Sequence, residues 1–573
     1  MKNILIILAL LNFLNTTGQE IDSYQEYLKF KEINSKKVFE LQEKENQTET
    51  DRFSIIKYCD ESSRILEDLL DNHSDHRSDI IHSLIDNYTY CMRKYPDRTD
   101  TSMILQYFDK AKRVGLCDYS YNYYVLELKR DKVFQLIKND PCVIKVLQRY
   151  ECEKNFWNNN NFKTEFKPNI SGNDKIAGLS KFWSEAKFNF AYFDQVPYLN
   201  WDSLYIAYIP KVLSTNSTKS YYDTLKTFCA KLNDSHTYVY YPNDLNIGRP
   251  PIRCKMIENR VFISEVLNDS LLKIGLNRGL EVLKINTIPV IDYANKFIKP
   301  FISSSTEQDL LVRTYEYFLF EGDKEEKLHL ELKDNFNKKY EFNISRKLPY
   351  NLPFSNSKTL EFEILKNNIG YLTINSFSSR SNVKNEFNNV FDQILKTDGL
   401  IIDIRNNGGG NSSYGTYIFS CLIEKPAYKW NSAILNYKPY ERARNNPPSW
   451  EDITNDFDPN IDKNYSKPIV VITSAKTFSA AEDFCVLFDI NNRAQIIGQP
   501  TGGSTGQPFS FALPGGGKAK ICTIRSKYPN GEEFVGYGIQ PDIYIKETIS
   551  DFQKARDAVL ERAQEFMISK INE

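Results

Sequence analysis

Histidine is scarce here: five occur in 573 residues, at His73, His76, His82, His236 and His329. So few imidazoles exclude a histidine-rich metal protein, and they make the setting of each one informative. No CxxC spacing exists, which disfavours zinc-ribbon and thioredoxin-like chemistry. Charge of one sign is not in excess either: Lys+Arg 73 stand against Asp+Glu 74 for a net charge of −1, so no broad basic field offers itself to nucleic acid or an anionic membrane. No apolar run reaches the roughly 20 residues of a membrane-spanning helix. Neither a cofactor nor a metal is called for by any motif.

What is present begins with Met1-Lys2-Asn3, an apolar run over 4–14 broken by Asn12, and small polar residues before Gln19. This is the pattern of a secretory signal peptide over 1–18, so a secreted or periplasmic protein is expected. Ten cysteines then permit disulfides. Cys59, Cys91, Cys117, Cys142 and Cys152 precede Trp157 and the others follow it, so each half holds an odd number. Cys485, on an apolar helix face, is the expected buried thiol.

Texture divides the chain. Residues 19–157 are charged and tyrosine-rich, with apolar residues recurring at three and four (Ile65, Leu66, Leu69, Leu70; Ile80, Ile81, Leu84, Ile85), and read as a helical N-terminal domain. His73, His76 and His82 lie there in a Ser/Asp-rich stretch that reads as a solvated helix end. The asparagine run from Asn158 opens an expected linker, 158–175. Residues 176–249 read as a helical cap whose third helix runs into Asn233-Asp234-Ser235-His236, and 250–348 as short β runs. Over 349–573, apolar strands alternate with helices, the pattern of an α/β core with a C-terminal helix.

Two segments carry chemistry. His236 sits in a polar turn between a helix and a strand, where catalytic side chains are commonly held. Ser479 follows a buried strand and opens a helix, placing its hydroxyl beside free N–H groups and the positive end of a dipole. Ser479-Ala480-Ala481-Glu482 is also a good capping box, and capping alone needs no catalysis. A third loop, Arg405-Asn406-Asn407-Gly408-Gly409-Gly410, lacks the lysine and hydroxyl of a nucleotide loop, but its glycines let a backbone N–H approach a developing negative charge.

Taken together, Leu232-Asn233-Asp234-Ser235-His236-Thr237, Asp403-Ile404-Arg405-Asn406-Asn407-Gly408-Gly409-Gly410, Thr477-Phe478-Ser479-Ala480-Ala481-Glu482, Gly498-Gln499-Pro500-Thr501-Gly502-Gly503 and Gly538-Ile539-Gln540-Pro541-Asp542 resemble the tail-specific and C-terminal-processing serine peptidases. The likeness is strongest to the branch similar to the tricorn protease core, and it runs in order from about 176 to 549. Gly275 to Asn286 resembles the glycine turn and strand of a PDZ module, which would receive a peptide by strand addition. The implied fold class is multidomain α+β: an N-terminal helical region, a helical cap, a PDZ-like β module and a crotonase-like (ββα) α/β catalytic core.

The resemblance also implies roles. Ser479 would be the nucleophile, His236 the general base with Ser235 beside it, and the N–H groups of Ala480 and of Gly408 or Gly409 the oxyanion hole. Where the processing peptidases place a lysine base, this chain has Ser504, so a Ser-Lys dyad is not expected unless Lys518 or Lys520 reaches in. An acidic residue near the last motif assists in that branch; Glu533 is favoured here, with Glu532 as the alternative. The expected activity is hydrolysis of peptide or protein substrates, rising as a group near the histidine reference of roughly 6.5 loses its proton. Two other classes remain: a carrier on the same fold, its pocket lined from the 13% aromatic residues, and an interaction scaffold built on the helices and the PDZ-like insert.

Overall fold

The computed structural model describes residues 48–72, 76–94, 101–349, 358–378, 382–454, 456–460 and 462–573. The expected signal peptide and His73 lie outside these residues. The chain forms two compact units that divide between Asn158 and Asn159.

In the first unit, the helices Glu49–Asn72, Arg77–Lys94, Thr101–Arg113 and Pro141–Phe156 share a core. Leu66, Leu69, Ile80, Leu84 and Ile85 are buried in it, the spacing that the sequence pattern requires of an amphipathic helix. Asp140 caps the last helix by accepting from the Cys142 N–H at 2.9 Å, and Pro141 fills the first helical position, where a missing N–H costs nothing. Cys117 and Cys142 form a disulfide; Cys485, in the other unit, is a buried free thiol.

The second unit is organised by a six-stranded sheet in the order Leu360–Leu365, Ile369–Ile374, Gly399–Asp403, Ile469–Thr473, Gln495–Gly498 and Ile543–Tyr544. The first pair is antiparallel and the rest are parallel. Gly399–Asp403 and Ile469–Thr473 are buried along their whole length, hence their unbroken apolar sequences. Helices Val383–Ile394, Ser412–Ser420 and Ala480–Ile490 contribute to the core on one face; Ala558–Ile571 packs on the other through Val559, Ala563 and Met567.

The helices Gly172–Asn189, Trp201–Leu213 and Thr218–Cys229 join that same main core. The stretch expected as a linker is packed rather than free: Ile170 is buried, the Thr218 N–H donates to the Pro168 carbonyl at 2.7 Å, and the Gly515 N–H to Thr164 Oγ1 at 2.8 Å. Residues 252–345 build a mostly antiparallel sheet around a core of their own. Neither the strands Asn431–Asn436 and Ser449–Ile453, which insert between core helix and core strand, nor the π-helix Val312–Phe318 has a counterpart in the sequence reading.

Candidate active site

His236 stands just after the left-handed turn at Asn233 (φ 50°) that ends the cap helix. The turn is fixed from outside: the Asp234 N–H donates to Ser303 Oγ (3.0 Å), whose hydroxyl donates back to the Asp234 carbonyl (2.7 Å). Far along the chain, the parallel strands Gly399–Asp403 and Ile469–Thr473 end side by side and deliver the glycine loop and the segment before Ser479 to the same edge of the sheet. The Phe478 N–H donates to the Asn407 carbonyl at 3.0 Å and ties the two loops together.

Here the two motifs meet. His236 Nε2 lies 3.0 Å from Ser479 Oγ, and His236 Nδ1 lies 2.7 Å from Ser504 Oγ. If Nε2 accepts the Ser479 proton, a neutral imidazole must carry its hydrogen on Nδ1, and Ser504 is its acceptor. The ring stacks on Phe478, with centroids 4.8 Å apart and planes 7° apart, and the Arg313 guanidinium covers the same phenyl ring at 5.3 Å. Burial, then the charges of Arg313 and Lys520, push the imidazole down to about 3. It is therefore neutral across the physiological range, which displaces the expected histidine limb from about 6.5 to lower pH.

Ser479 has φ 57° and ψ −128°, a backbone conformation that costs a non-glycine residue about 1–3 kcal/mol and is found where structure holds a side chain in a working position. Its place is over-determined. The Ser479 N–H is shared between the Ser504 carbonyl (3.1 Å) and Glu482 Oε2 (3.2 Å). Gly409 (φ 94°) lies so close that a Cβ there would meet the Phe478 carbonyl oxygen at 2.6 Å and Ser479 Cβ at 2.7 Å. The capping box is thus half used: Glu482 caps the Ser479 N–H, while the Ser479 hydroxyl is turned toward the imidazole.

Glu482 is the residue the sequence reading undervalued. Fully buried, it also accepts from Thr501 Oγ1 (2.6 Å), the Gly503 N–H (2.8 Å) and the Ser504 N–H (2.9 Å). Burial pushes its carboxyl up to about 8 against the pull of these donors. Because each oxygen meets two donors, an added proton would have no acceptor, and the ionised form is the one this geometry accommodates. One carboxylate thereby locks the helix start, the Thr501-Gly502-Gly503-Ser504 turn and so the partner of His236.

The remaining expectations divide. The Ala480 N–H and the Gly408 N–H have no acceptor among the described residues, and Gly408 faces open space; the Gly409 N–H is taken by Asn407 Oδ1 at 2.9 Å. Of the two glycines, Gly408 is the free donor. Ser235 is buried beside His236 but is bonded elsewhere: its hydroxyl donates to Asp309 Oδ2 at 2.6 Å, and Asp309 pairs with Arg313 at 2.6 Å. Asp309 follows the polar run Ser303-Ser304-Ser305-Thr306, whose clustered hydroxyls were the available signal. The Glu533 carboxylate accepts from Arg525 Nε at 2.7 Å and from Gln195 Nε2 at 3.3 Å, and makes no hydrogen bond to His236 or Ser235 among the described residues. Glu532 pairs with Asn530 in an exposed turn. Lys518 and Lys520 reach no atom of Ser479 by hydrogen bond and instead lie over the Tyr240 ring at 5.0 and 5.7 Å.

With this geometry in hand, residues 368–545 match the model of Peptidase family S41. Among curated relatives, a protein of Chlamydia trachomatis serovar D is 30% identical over 112 residues, 19% of either chain. A carboxyl-terminal-processing protease of the cyanobacterium Picosynechococcus sp. is 27% identical over 176 residues, 30% of this chain and 38% of its own. The chain thus spans between about one fifth and two fifths of the length of these relatives. The crystal structure of mature CPAF superposes with a TM-score of 0.58 at 17% identity, over 70% of this chain and 98% of that one, a likeness of fold. No helix among the described residues is long and apolar enough to cross a membrane.

Proposed function

We propose that the chain is an exported serine peptidase that hydrolyses peptide bonds of proteins or oligopeptides through an acyl-enzyme. The observation that carries this reading is the line of three side chains, Ser479 Oγ, His236 and Ser504 Oγ, spaced at 3.0 and 2.7 Å. His236 removes the Ser479 proton as Oγ attacks the scissile carbonyl, then returns it to the leaving amine. The oxygen that becomes negative is received by the Gly408 and Ala480 N–H groups, which have no other acceptor among the described residues.

Ser504 stands where a triad would hold a carboxylate. It fixes the tautomer and orientation of His236 but brings no negative charge to the imidazolium, and Glu482 supports the arrangement one step further back through the Ser504 N–H. Ser235, tied to Asp309, positions the turn that carries His236. The sheet of 252–345 is proposed as a PDZ-like module that receives peptide, and the 360–571 region as the crotonase-like catalytic core. A serine-directed fluorophosphonate, followed by mapping of the modified peptide, tests the assignment: the label is expected on Ser479. A carrier or scaffold on this fold would leave that hydroxyl unmodified.

A further inference from the structure

The strand that begins two residues after His236 supplies a surface the chemistry above does not use. Tyr238–Tyr240 pairs antiparallel with Lys518–Cys522, with Tyr238 opposite Lys520 and Tyr240 opposite Lys518. Alternation divides this sheet cleanly. Val239, Ala519 and Ile521 point into the main core, while Tyr238, Tyr240, Lys518 and Lys520 share the other face. Tyr238 and Tyr240 meet edge to face at 4.8 Å, and both ammonium groups lie over Tyr240. Lys520 is near enough to His236 for its charge to disfavour the imidazolium.

The local charge is unusual. Several other cations around the site are neutralised, Arg313 by Asp309, Arg405 by Asp403 and Asp557, Lys476 by Glu316, Arg525 by Glu533 and Asp194, while Lys226, over the Tyr238 ring at 5.5 Å, is buried, which favours its neutral form. Lys518 and Lys520 form no ion pair among the described residues. In a chain of net charge −1, the unpaired Lys520 ammonium, together with Arg313, also makes proton uptake by the base harder. A carboxylate brought in by substrate would remove that cost and gain two cationic partners at once.

We infer that the Tyr238, Tyr240, Lys518 and Lys520 face selects peptide substrates bearing acidic side chains on one side of the scissile bond. The inference rests on the peptidase reading above. Same-face residues of a strand are about 7 Å apart, so an extended substrate would match both lysines best with Asp or Glu at alternate positions. The aromatic rings supply apolar contact for the intervening backbone. Lys520, nearer the imidazole, governs the acidic position closer to the cut.

The test uses the full chain and capped peptides in which Asp or Glu is exchanged for Asn or Gln at alternate positions. The acidic series is expected to show kcat/KM higher by about fivefold or more at low ionic strength, with the advantage shrinking as salt screens it. In Lys518→Glu/Lys520→Glu the ranking inverts, an outcome that loss of structure cannot produce; Lys520→Gln, a milder change, reduces the ratio toward one. Equal rates for acidic and amide peptides, or an unchanged ranking in the charge-reversed protein, overturn the inference. A preference confined to peptides with a free C-terminal carboxylate overturns it as well, by assigning the lysines to the chain end. Should no peptide be cut, binding of the same labelled peptides to Ser479→Ala, read by fluorescence anisotropy, separates the two claims: acidic-over-amide binding upholds the selectivity while the hydrolytic reading fails.

Discussion

The two units bury different things. The described core of the helical unit is apolar apart from Ser63 and Thr89, whose hydroxyls bond the Cys59 and Ile85 carbonyls of their own helices. The second unit buries Asp234, Asp309, Asn407, Glu482, Asp483, Ser504 and Thr505 in turns, loops and the first turns of helices. Hydrophobic burial explains the first pattern, since apolar residues at helical spacing suffice to build a bundle. It does not explain the second, because each buried polar group must be compensated individually or it destabilises the fold. The unit that accepts this cost brings a strained serine and a neutral histidine together at one point.

The largest expected effect comes from Ser479→Ala. Peptide hydrolysis falls on the order of 10⁴-fold or more, while thermal unfolding changes little, because the Glu482 N–H bonds the Ser479 carbonyl rather than its hydroxyl. A residual rate near wild type would place the nucleophile elsewhere. Glu482→Ala strikes the polar network instead and leaves donors from Thr501, Gly503 and Ser504 without their acceptor. A loss of about 3–5 kcal/mol is expected in denaturant unfolding of the second unit, with activity lost alongside; a change under ~1 kcal/mol would mean the network adds nothing.

Ser504→Ala removes a single neutral hydrogen bond to the imidazole, so kcat should drop about tenfold with KM nearly unchanged. If KM moved instead, Ser504 would be a substrate contact and not a positioning residue. The smallest effect is expected from Glu533→Gln. Its carboxylate serves Arg525 and Gln195, so kcat should stay within about threefold of wild type, and a catalytic loss as large as that of Ser479→Ala would restore it to the relay.

Local pattern carried much of this architecture. The run 469–473 reads as a buried strand and is one; 383–396 reads as a helix and ends two residues earlier, at Ile394. The helix read over 414–422 is observed as Ser412–Ser420, because Asn411 caps it by accepting from the Ser413 N–H. What sequence reasoning missed is long-range. Ser504 is 268 residues from His236, and Asp309 is 74 from Ser235, separations at which no periodicity says which polar side chains will meet. Glu482 was legible only as a cap, since its other bonds arise when the Thr501-Gly502-Gly503-Ser504 turn folds over it. The Glu533 bond to Arg525, eight residues away, was likewise not legible from its place in a motif.

The most direct measurement of the central claim is the rate at which a fluorophosphonate modifies Ser479 as a function of pH. An imidazole pushed down to about 3 by burial, Arg313 and Lys520 stays neutral as pH falls from 8 toward 5, so Nε2 can still accept the Ser479 proton and the rate should stay nearly level over that range. Only at lower pH, as protonation fills Nε2, should labelling be lost, and His236→Ala should abolish it throughout. Half-loss near the ordinary histidine value of roughly 6.5, or labelling indifferent to His236→Ala, would contradict the account.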